Sequence, residues 1–231
     1  MGRRSRAERV AAVAALEDPV RRSLYDHVAA SDSAVGRDAA AAALGLSRST
    51  VAFHLDRLAA GGLLAVEYRR LGGRTGPGAG RPAKLYRLPD TEVAVSVPER
   101  HYALAGELLA GAVEESTRSG RPVHQVLTGM ARSAGRDIGA RAGSVRAALD
   151  DYGYDPRLCP DGGMILRNCP FHRLARQFTE LVCGLNLELL RGMADGARDE
   201  EREMALDPAP GRCCVRVGPG IDRAKSATPA D

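Results

Sequence analysis

The sequence predicts an α+β protein that is mostly α and is divided into two domains. Apolar residues recur at helical spacing in several stretches, short strand-like runs follow them, and the net charge differs between the two parts of the chain. With 231 residues, 44% of them hydrophobic and 27% charged, the chain is long enough for two small domains and too apolar to remain disordered.

The charge and the cysteines divide the chain near residue 90. Residues 1–90 contain 15 Lys and Arg against 9 Asp and Glu, whereas the remainder carries a net −2 and all five cysteines. A basic part without thiols suggests nucleic acid as its partner. We therefore predict a DNA-binding domain over 1–90, a linker over 91–97, a sensor and dimerisation domain over 98–217, and a disordered tail over 218–231.

The first part contains three helical stretches in close succession. Asp18-Pro19 begins one, a second spans about 36–44, and a third spans about 48–60. Gly45 suits the left-handed turn that ends a helix, and Ser47 suits the N-cap of the next. Two short helices joined by such a tight turn are typical of a helix-turn-helix.

Two predicted strands, 63–69 and 84–88, follow the third helix and enclose a cationic loop. This loop has five glycines, three arginines (Arg70, Arg74 and Arg81) and no acidic residue. Glycines let a backbone approach phosphates closely, and arginines neutralise them. The pattern predicts a DNA-contacting wing, although a similar loop is often only a solvated turn.

The run LGLSRSTVAFHLDRLAAGGLLAVEYRR…GPGAGRPAKLYRL resembles the winged helix-turn-helix of the ArsR-type bacterial regulators. The resemblance covers residues 18–88 and implies a homodimer that binds a double-stranded DNA operator with its third helix in the major groove. With Val51, Leu55 and Leu58 facing inward, the side chains left for DNA on this helix and the wing are Arg48, Ser49, Thr50, His54, Arg70, Arg74, Arg81 and Lys84.

The second part is predicted to be mixed. Helices are expected at about 99–117, 123–140, 144–151 and 171–194, with strands at 152–156, 164–167 and 213–217. Ser96 and Glu99 have the spacing of a capping box, which places the start of the first of these helices there. That helix either pairs with its twin in a dimer or packs on its own domain.

The five cysteines lack the spacing of a zinc knuckle. Cys159 stands alone, Cys169 precedes the last long helix, and Cys183 lies within that helix, away from the centre of its apolar stripe. Cys213 and Cys214 fall in a predicted strand, where neighbours point to opposite faces. We therefore expect only one of these two to face a common site.

The segments NCPFHRLA…LVCGLN…PAPGRCCVRV resemble the C-terminal domain of the SufR-like branch, the iron–sulfur-dependent repressors of iron–sulfur assembly genes. By that resemblance, Cys169, Cys183 and Cys213 would hold a [4Fe–4S] cluster with a non-cysteine fourth ligand. Cys214 or His172 are the substitutes for one of these three cysteines. Thiolates suit such a centre because they are soft, anionic ligands. The alternative is a bound metal ion, or a thiol-redox switch with no cofactor.

A continuous helix through 171–183 conflicts with a shared site. At 1.5 Å per residue its ends would lie roughly 18 Å apart, so Cys169 and Cys183 could not meet within one chain. Three resolutions stay open. The chain folds back at Cys169, the helix breaks, or the ligands come from two protomers.

Other classes of function are less well supported. No apolar run is long enough to cross a membrane, and charged residues interrupt the Ala-rich N-terminus, so we expect a cytoplasmic protein without a signal peptide. A thiol enzyme would need an orienting third group beside Cys169 and His172, and none is evident, so we expect no enzyme. A module for protein contacts alone is disfavoured by the arginine-rich wing.

Overall fold

The computed structural model describes residues 4–70, 82–199 and 202–219. The chain divides into two compact units, Met1–Val95 and Ser96–Asp231. This division falls within the predicted linker 91–97, and most of the predicted tail 218–231 lies outside the described residues. The predicted α+β class with a predominance of helix is confirmed. No described helix combines the length and apolarity needed to cross a membrane.

The first unit begins with helices that surround a small apolar core. A capping box of Ser5 and Glu8 starts α1, which the sequence analysis missed, and Asp18 accepts hydrogen bonds from two backbone amides at the start of α2. Gly45 has the left-handed conformation that ends α3, and the Ser47 hydroxyl caps α4. The helices are α1 (Arg6–Ala14), α2 (Pro19–Ala29), α3 (Arg37–Leu44) and α4 (Arg48–Ala60).

A three-stranded antiparallel sheet completes the first unit. Its strands are β1 (Val35–Gly36), β2 (Ala65–Arg69) and β3 (Ala83–Arg87), in the order β1-β3-β2. Ala65 pairs with Arg87 and Arg69 pairs with Ala83, so β2 and β3 form the two arms of a hairpin. The loop between these arms includes residues 71–81, which lie outside the described residues.

The second unit packs helices against a four-stranded antiparallel sheet. Its strands β4 (Pro156–Leu158), β5 (Met164–Leu166), β6 (Met204–Leu206) and β7 (Val215–Val217) lie in the order β4-β5-β7-β6. The pairs β4–β5 and β6–β7 are hairpins, and β5 pairs with β7 between them. The helices of this unit are α5 (Tyr102–Ser119), α6 (Val123–Ala142), α7 (Val145–Asp151), α8 (His172–Gln177) and α9 (Thr179–Gly196).

Several predicted boundaries in this unit are wrong. The capping box at Ser96 does not form; its hydroxyl instead accepts from the Arg100 backbone amide at 2.7 Å, and α5 begins only at Tyr102. The strand expected at 152–156 starts at Pro156, because a helix-terminal turn through Gly153 precedes it. The last strand begins at Val215, so Cys213 and Cys214 lie before it rather than within it.

Helices α6 and α9 pack with their backbones almost in contact. A side chain at Gly135 would overlap the Leu189 carbonyl oxygen, and one at Gly139 would overlap that of Met193. Reciprocally, a side chain at Gly192 would overlap the Arg132 carbonyl oxygen. Only glycine permits this approach, and around it lies a core that includes Leu189, Leu190 and Met193.

Replacing Gly135 with alanine should unfold the second unit far more easily, because the two helices must separate to accept the methyl group. We expect a loss of at least about 3 kcal/mol in the free energy of unfolding. The matched control is Gly129→Ala on the exposed side of α6, where the added methyl meets nothing and should stabilise the helix by roughly 0.5–1 kcal/mol. Urea titration followed by circular dichroism measures both; equal stability of the two variants would contradict the close-packing account.

Candidate functional site

Helix α4 presents a narrow exposed face at the surface of the first unit. Val51, Leu55 and Leu58 are fully buried. An ideal helix turns by about 100° per residue, which places Phe53 roughly 200° from Val51, on the opposite side. In the structure, Ser49, Phe53 and Arg57 are all exposed along this face. These are the side chains that a ligand lying against α4 would meet.

The first turn of α4 carries three of the predicted DNA contacts. Arg48 is exposed and forms an ion pair with Asp38 of α3, a surface interaction that is weak and readily exchanged. The Ser49 hydroxyl lies 2.9 Å from that of Ser47, and the Thr50 hydroxyl lies 2.8 Å from it. The polar groups of this turn therefore cluster around the N-cap of α4.

His54 lies closer to the core than the sequence analysis placed it. Its Nδ1 atom is buried and has no hydrogen-bond partner among the described residues, and its ring packs edge-on against Phe53 with centroids 5.2 Å apart. The helical rotation accounts for this position, because His54 stands only about 60° from Val51 around the axis. The exposed face of α4 is thus centred on Phe53 rather than on His54.

A hydrogen-bonded cluster around Asp56 connects α4 with α3 and β3. One carboxylate oxygen of Asp56 accepts from Arg37 at 2.6 Å; the other accepts from Lys84 at 2.6 Å and from the Tyr86 hydroxyl at 2.7 Å. Arg37 also donates to the Tyr86 hydroxyl at 3.0 Å. This cluster holds α4 in register with the hairpin strand β3.

The cluster changes the titration of Asp56 and limits the availability of Lys84. Burial acts to raise the pKa of Asp56, but the hydrogen bonds from Lys84, Tyr86 and Arg37 outweigh it and lower that pKa. The ammonium group of Lys84 is paired with Asp56 at 2.6 Å, and its contact with DNA stays a prediction. Of the predicted wing arginines, Arg70 is exposed, while Arg74 and Arg81 lie outside the described residues.

The second unit contains a cavity of about 390 Å³ with thiols in its wall. Cys169, Cys183 and Cys214 line it. Three groups that are cationic or can become so share the lining: His172, Arg176 and Arg212. The cavity therefore combines soft sulfur donors with positive charge.

A break in the last long helix brings Cys169 and Cys183 to the same cavity. The predicted continuous helix is wrong: α8 ends at Gln177, Phe178 leaves the helical conformation with φ −130° and ψ 57°, and α9 begins at Thr179. Of the three resolutions that the sequence left open, the structure shows the broken helix. The objection to a shared site within one chain therefore no longer holds.

Four of the five thiols interact in a row. Hydrogen bonding to Cys169 and to its neighbour Cys214 shifts the pKa of Cys213, and hydrogen bonding to Cys213 and to Cys183 shifts that of Cys214. The expectation that only one of Cys213 and Cys214 faces a common site is wrong, because these residues precede β7 and do not alternate as strand residues do. Cys159 lies apart, in the turn between β4 and β5.

Cys213 is also supported from the core by an amide and a phenol. The Asn186 Nδ2 group donates to Cys213 Sγ at 3.2 Å, and the Tyr154 hydroxyl donates to Asn186 Oδ1 at 2.6 Å. Among the described residues, Asn186 is the one buried side chain of polar type. Because Tyr154 occupies the amide oxygen, the amide nitrogen is directed at the sulfur.

These contacts concentrate negative charge on one sulfur. Hydrogen bonds from Cys169 and then Cys214 hold the pKa of Cys213 well below its ordinary value, despite burial. The same hydrogen bonds to Cys213, together with burial, raise the pKa values of Cys169 and Cys214. Cys213 is thus the acceptor in the row, and its two thiol neighbours are donors.

The thiols of this row suit a soft metal centre by their chemistry, but not by their arrangement in this structure. Within the described residues, no three or more His, Cys, Asp or Glu side chains are grouped so that they could hold a metal ion. Binding would have to replace the thiol–thiol contacts by contacts to the ligand. His172 lines the same cavity, where its backbone amide donates to the Cys169 carbonyl at 3.1 Å.

The first unit matches a known family. A family model described as a helix-turn-helix domain covers residues 16–67, from the end of α1 to β2. The first unit is a helix-turn-helix domain. This match supports a DNA-binding transcription regulator rather than an enzyme. No curated protein and no solved structure matches the chain significantly.

Sequence reasoning missed Phe53, Tyr154 and Asn186, and it kept Cys214 only as a substitute ligand. Phe53 could have been found by extending the rotation argument from Val51 to every residue of α4. Cys214 was demoted by a strand that starts two residues later than expected. Tyr154 and Asn186 had no sequence signal, because their roles arise only when α9 packs beside Cys213.

Asp56→Asn should weaken the helix-turn-helix domain by about 1 kcal/mol at neutral pH, since two cations lose their charged partner at a partly exposed site. The pKa of Asp56 is lowered from 3.8 on folding, so its stabilisation is present above about pH 4 and is lost as the pH falls through the folded pKa. The difference between wild type and variant in urea unfolding should therefore shrink in acid.

The control is Asp38→Asn, which removes an exposed ion pair with Arg48 and an acidic charge in the first turn of α3, and should change stability by about 0.5 kcal/mol. A pH-independent difference for Asp56→Asn would show that its carboxylate charge is not what holds α4 to β3.

Proposed function

We propose that this protein is an ArsR-type transcriptional repressor of the SufR-like kind, which binds an operator as a homodimer and senses iron–sulfur status through its thiols. The observation that supports this most directly is the joining of a helix-turn-helix domain to a unit in which four cysteines from three separate segments interact, three of them in the wall of one cavity. The first unit supplies DNA binding, and the second supplies the signal.

The DNA contacts proposed for the first unit follow from charge and exposure. Arg48 and Ser49 stand at the start of α4, where base edges of a major groove are reached, and Thr50 lies beside them. Arg70, Arg74 and Arg81 belong to the wing segment and suit phosphates or a minor groove. The net charge of +6 over residues 1–90 attracts the duplex over a longer range.

The proposed ligands of a [4Fe–4S] cluster are Cys169, Cys183 and Cys213, with a non-cysteine fourth ligand and with Cys214 or His172 as substitutes for one of the three. When bound, such a cluster supplies a charge that changes on oxidation or loss, within a site tuned by hydrogen bonds to its sulfurs. Asn186 offers one such hydrogen bond, to Cys213. Arg176 and Arg212 line the same cavity, and Arg212 is paired with Asp207 at 2.6 Å.

We propose that the thiol site influences DNA binding by shifting the populations of two alternative arrangements of the dimer. Occupancy of the thiol site would favour one arrangement of the dimer over another, and only one arrangement places two copies of α4 at the spacing of the operator half-sites. Each ligand state must then have a different affinity for DNA, and by linkage DNA must change the affinity for the ligand by the same factor.

A second candidate is a thiol-redox regulator without a cofactor. The interactions of Cys213 with Cys169, and of Cys214 with Cys183, favour it, since each pair joins thiols from distant segments of the chain. Formation of each disulfide from two thiols would release two protons and two electrons. Hydrogen peroxide, as the oxidant, would accept both and be reduced to two water molecules. DNA binding would then respond to oxidant in a protein that contains no iron.

The spectrum of protein purified and reconstituted without oxygen separates these candidates. A bound cluster should give a brown protein with broad absorption near 400 nm, and iron and sulfide assays should agree with it. Cys169→Ser, Cys183→Ser and Cys213→Ser should each lose the absorption. The matched control is Cys159→Ser, whose thiol lies outside the row and whose loss should leave the spectrum unchanged.

If the protein is colourless and takes up no iron, yet changes its DNA affinity on peroxide treatment, the result would support sensing by the disulfide pairs and not by a cluster. Peptide mapping would then identify the joined cysteines. A colourless protein whose DNA affinity responds to neither treatment would remove the sensing function from the proposal.

DNA binding is tested with the full chain and duplexes enriched from a random library. Arg48→Ala should weaken binding about ten-fold, as expected when one arginine contact to a base or phosphate is lost. Arg146→Ala is the matched control, since this arginine is paired with Asp150 in α7 of the other unit and should leave affinity unchanged. Fluorescence anisotropy at several salt concentrations measures both; equal effects would argue against α4 as the DNA-facing helix.

A further inference from the structure

The exposed face of α4 has an apolar centre. The Phe53 side chain is 61% exposed, although its helix neighbours Leu55 and Val51 are fully buried. Ser49 and Arg57, one turn before and one turn after, flank it along the axis. Phe53 therefore contributes little to the core of its own unit and presents its ring to whatever lies against α4.

The surroundings of this ring indicate the character of the partner. The Arg57 guanidinium lies 6.0 Å from the ring centroid, and the His54 ring packs against Phe53 in a T-shaped arrangement with centroids 5.2 Å apart. An aromatic ring beside an arginine suits a surface that is polyanionic and also carries an apolar group. The major groove of DNA has this combination, because phosphates border it and the C5-methyl group of thymine is the apolar feature of its floor.

We propose that Phe53 is a specificity-determining residue that contacts the C5-methyl group of a thymine in each operator half-site. The inference rests on the proposed function, since it requires α4 to lie in the major groove. The contact of Phe53 would recognise the methyl group by apolar burial, in addition to the polar contacts of Arg48 and Ser49. Arg57 would meanwhile bond the adjacent phosphate or guanine.

The test begins by enriching duplexes from a random library with the wild-type chain and with Phe53→Ala. The wild-type motif should contain a thymine in each half-site that the variant no longer selects. Deoxyuridine, which lacks only the methyl group, is then placed at that position. The wild type should lose about four-fold in affinity, the ratio expected for one buried methyl group, while Phe53→Ala should bind both duplexes equally.

The control variant is Phe178→Ala, an aromatic side chain 55% exposed in the other unit, which should keep the preference for thymine. Circular dichroism checks that each variant is folded. Equal affinity of the wild type for thymine and deoxyuridine at every selected position would overturn the inference. A methyl preference that persists in Phe53→Ala would also overturn it, by assigning the contact to another side chain.

The inference and the proposed function fail in different ways. Sequence-selective binding with no methyl effect removes the role of Phe53 and leaves the regulator intact. A wild-type chain that enriches no duplex, even at low salt, overturns the inference and DNA binding together.

Discussion

The backbone contact between α6 and α9 is the constraint on which the second unit depends. Gly135 and Gly139 on one helix face Gly192 and Gly196 on the other, so the two axes lie closer than any side chain would allow. This contact fixes α9, and α9 in turn carries Cys183 into the cavity wall and Asn186 to the sulfur of Cys213. On the outside, Arg132 bridges to Asp195 and Glu188 and adds polar links between the same two helices.

In the helix-turn-helix domain, a charged group rather than close backbone packing fixes the relative position of the main elements. Its core is small, and the orientation of α4 relative to β3 depends on the carboxylate of Asp56, which three donors share. A charged group with several hydrogen-bond partners is directional, so it specifies one arrangement where a few apolar contacts would allow several. The exposed face of α4 inherits its position from that arrangement.

The elements that could be predicted from sequence are those set by local signals. Gly45 and Ser47 marked the turn between α3 and α4, and regular apolar spacing located α4 to the residue. The break at Phe178 had no such signal, since neither glycine nor proline is near it in the segment RQFTELV. The break arises from tertiary packing, which local periodicity does not contain.

The sequence predicted which cysteines belong to the candidate site, but not which of them interact with one another. The resemblance singled out Cys169, Cys183 and Cys213, and all three belong to the row of interacting thiols; whether they bind a cluster stays a prediction. Whether Cys214 belongs to the candidate site depended on where β7 begins. Because the strand starts two residues later than predicted, Cys213 and Cys214 lie before it and need not point to opposite faces. Arg74 and Arg81, outside the described residues, also stay predictions.

The row of thiols gathers three distant segments of one chain, and this has a consequence for the lifetime of the protein. A ligand held by Cys169, Cys183 and Cys213 together would cross-link the loop before α8, the helix α9 and the approach to β7, and so stabilise the folded form by mass action. Proteolysis acts on the opened chain, so its rate would fall as occupancy rises. The supply of ligand would thereby set the abundance of the protein as well as its activity.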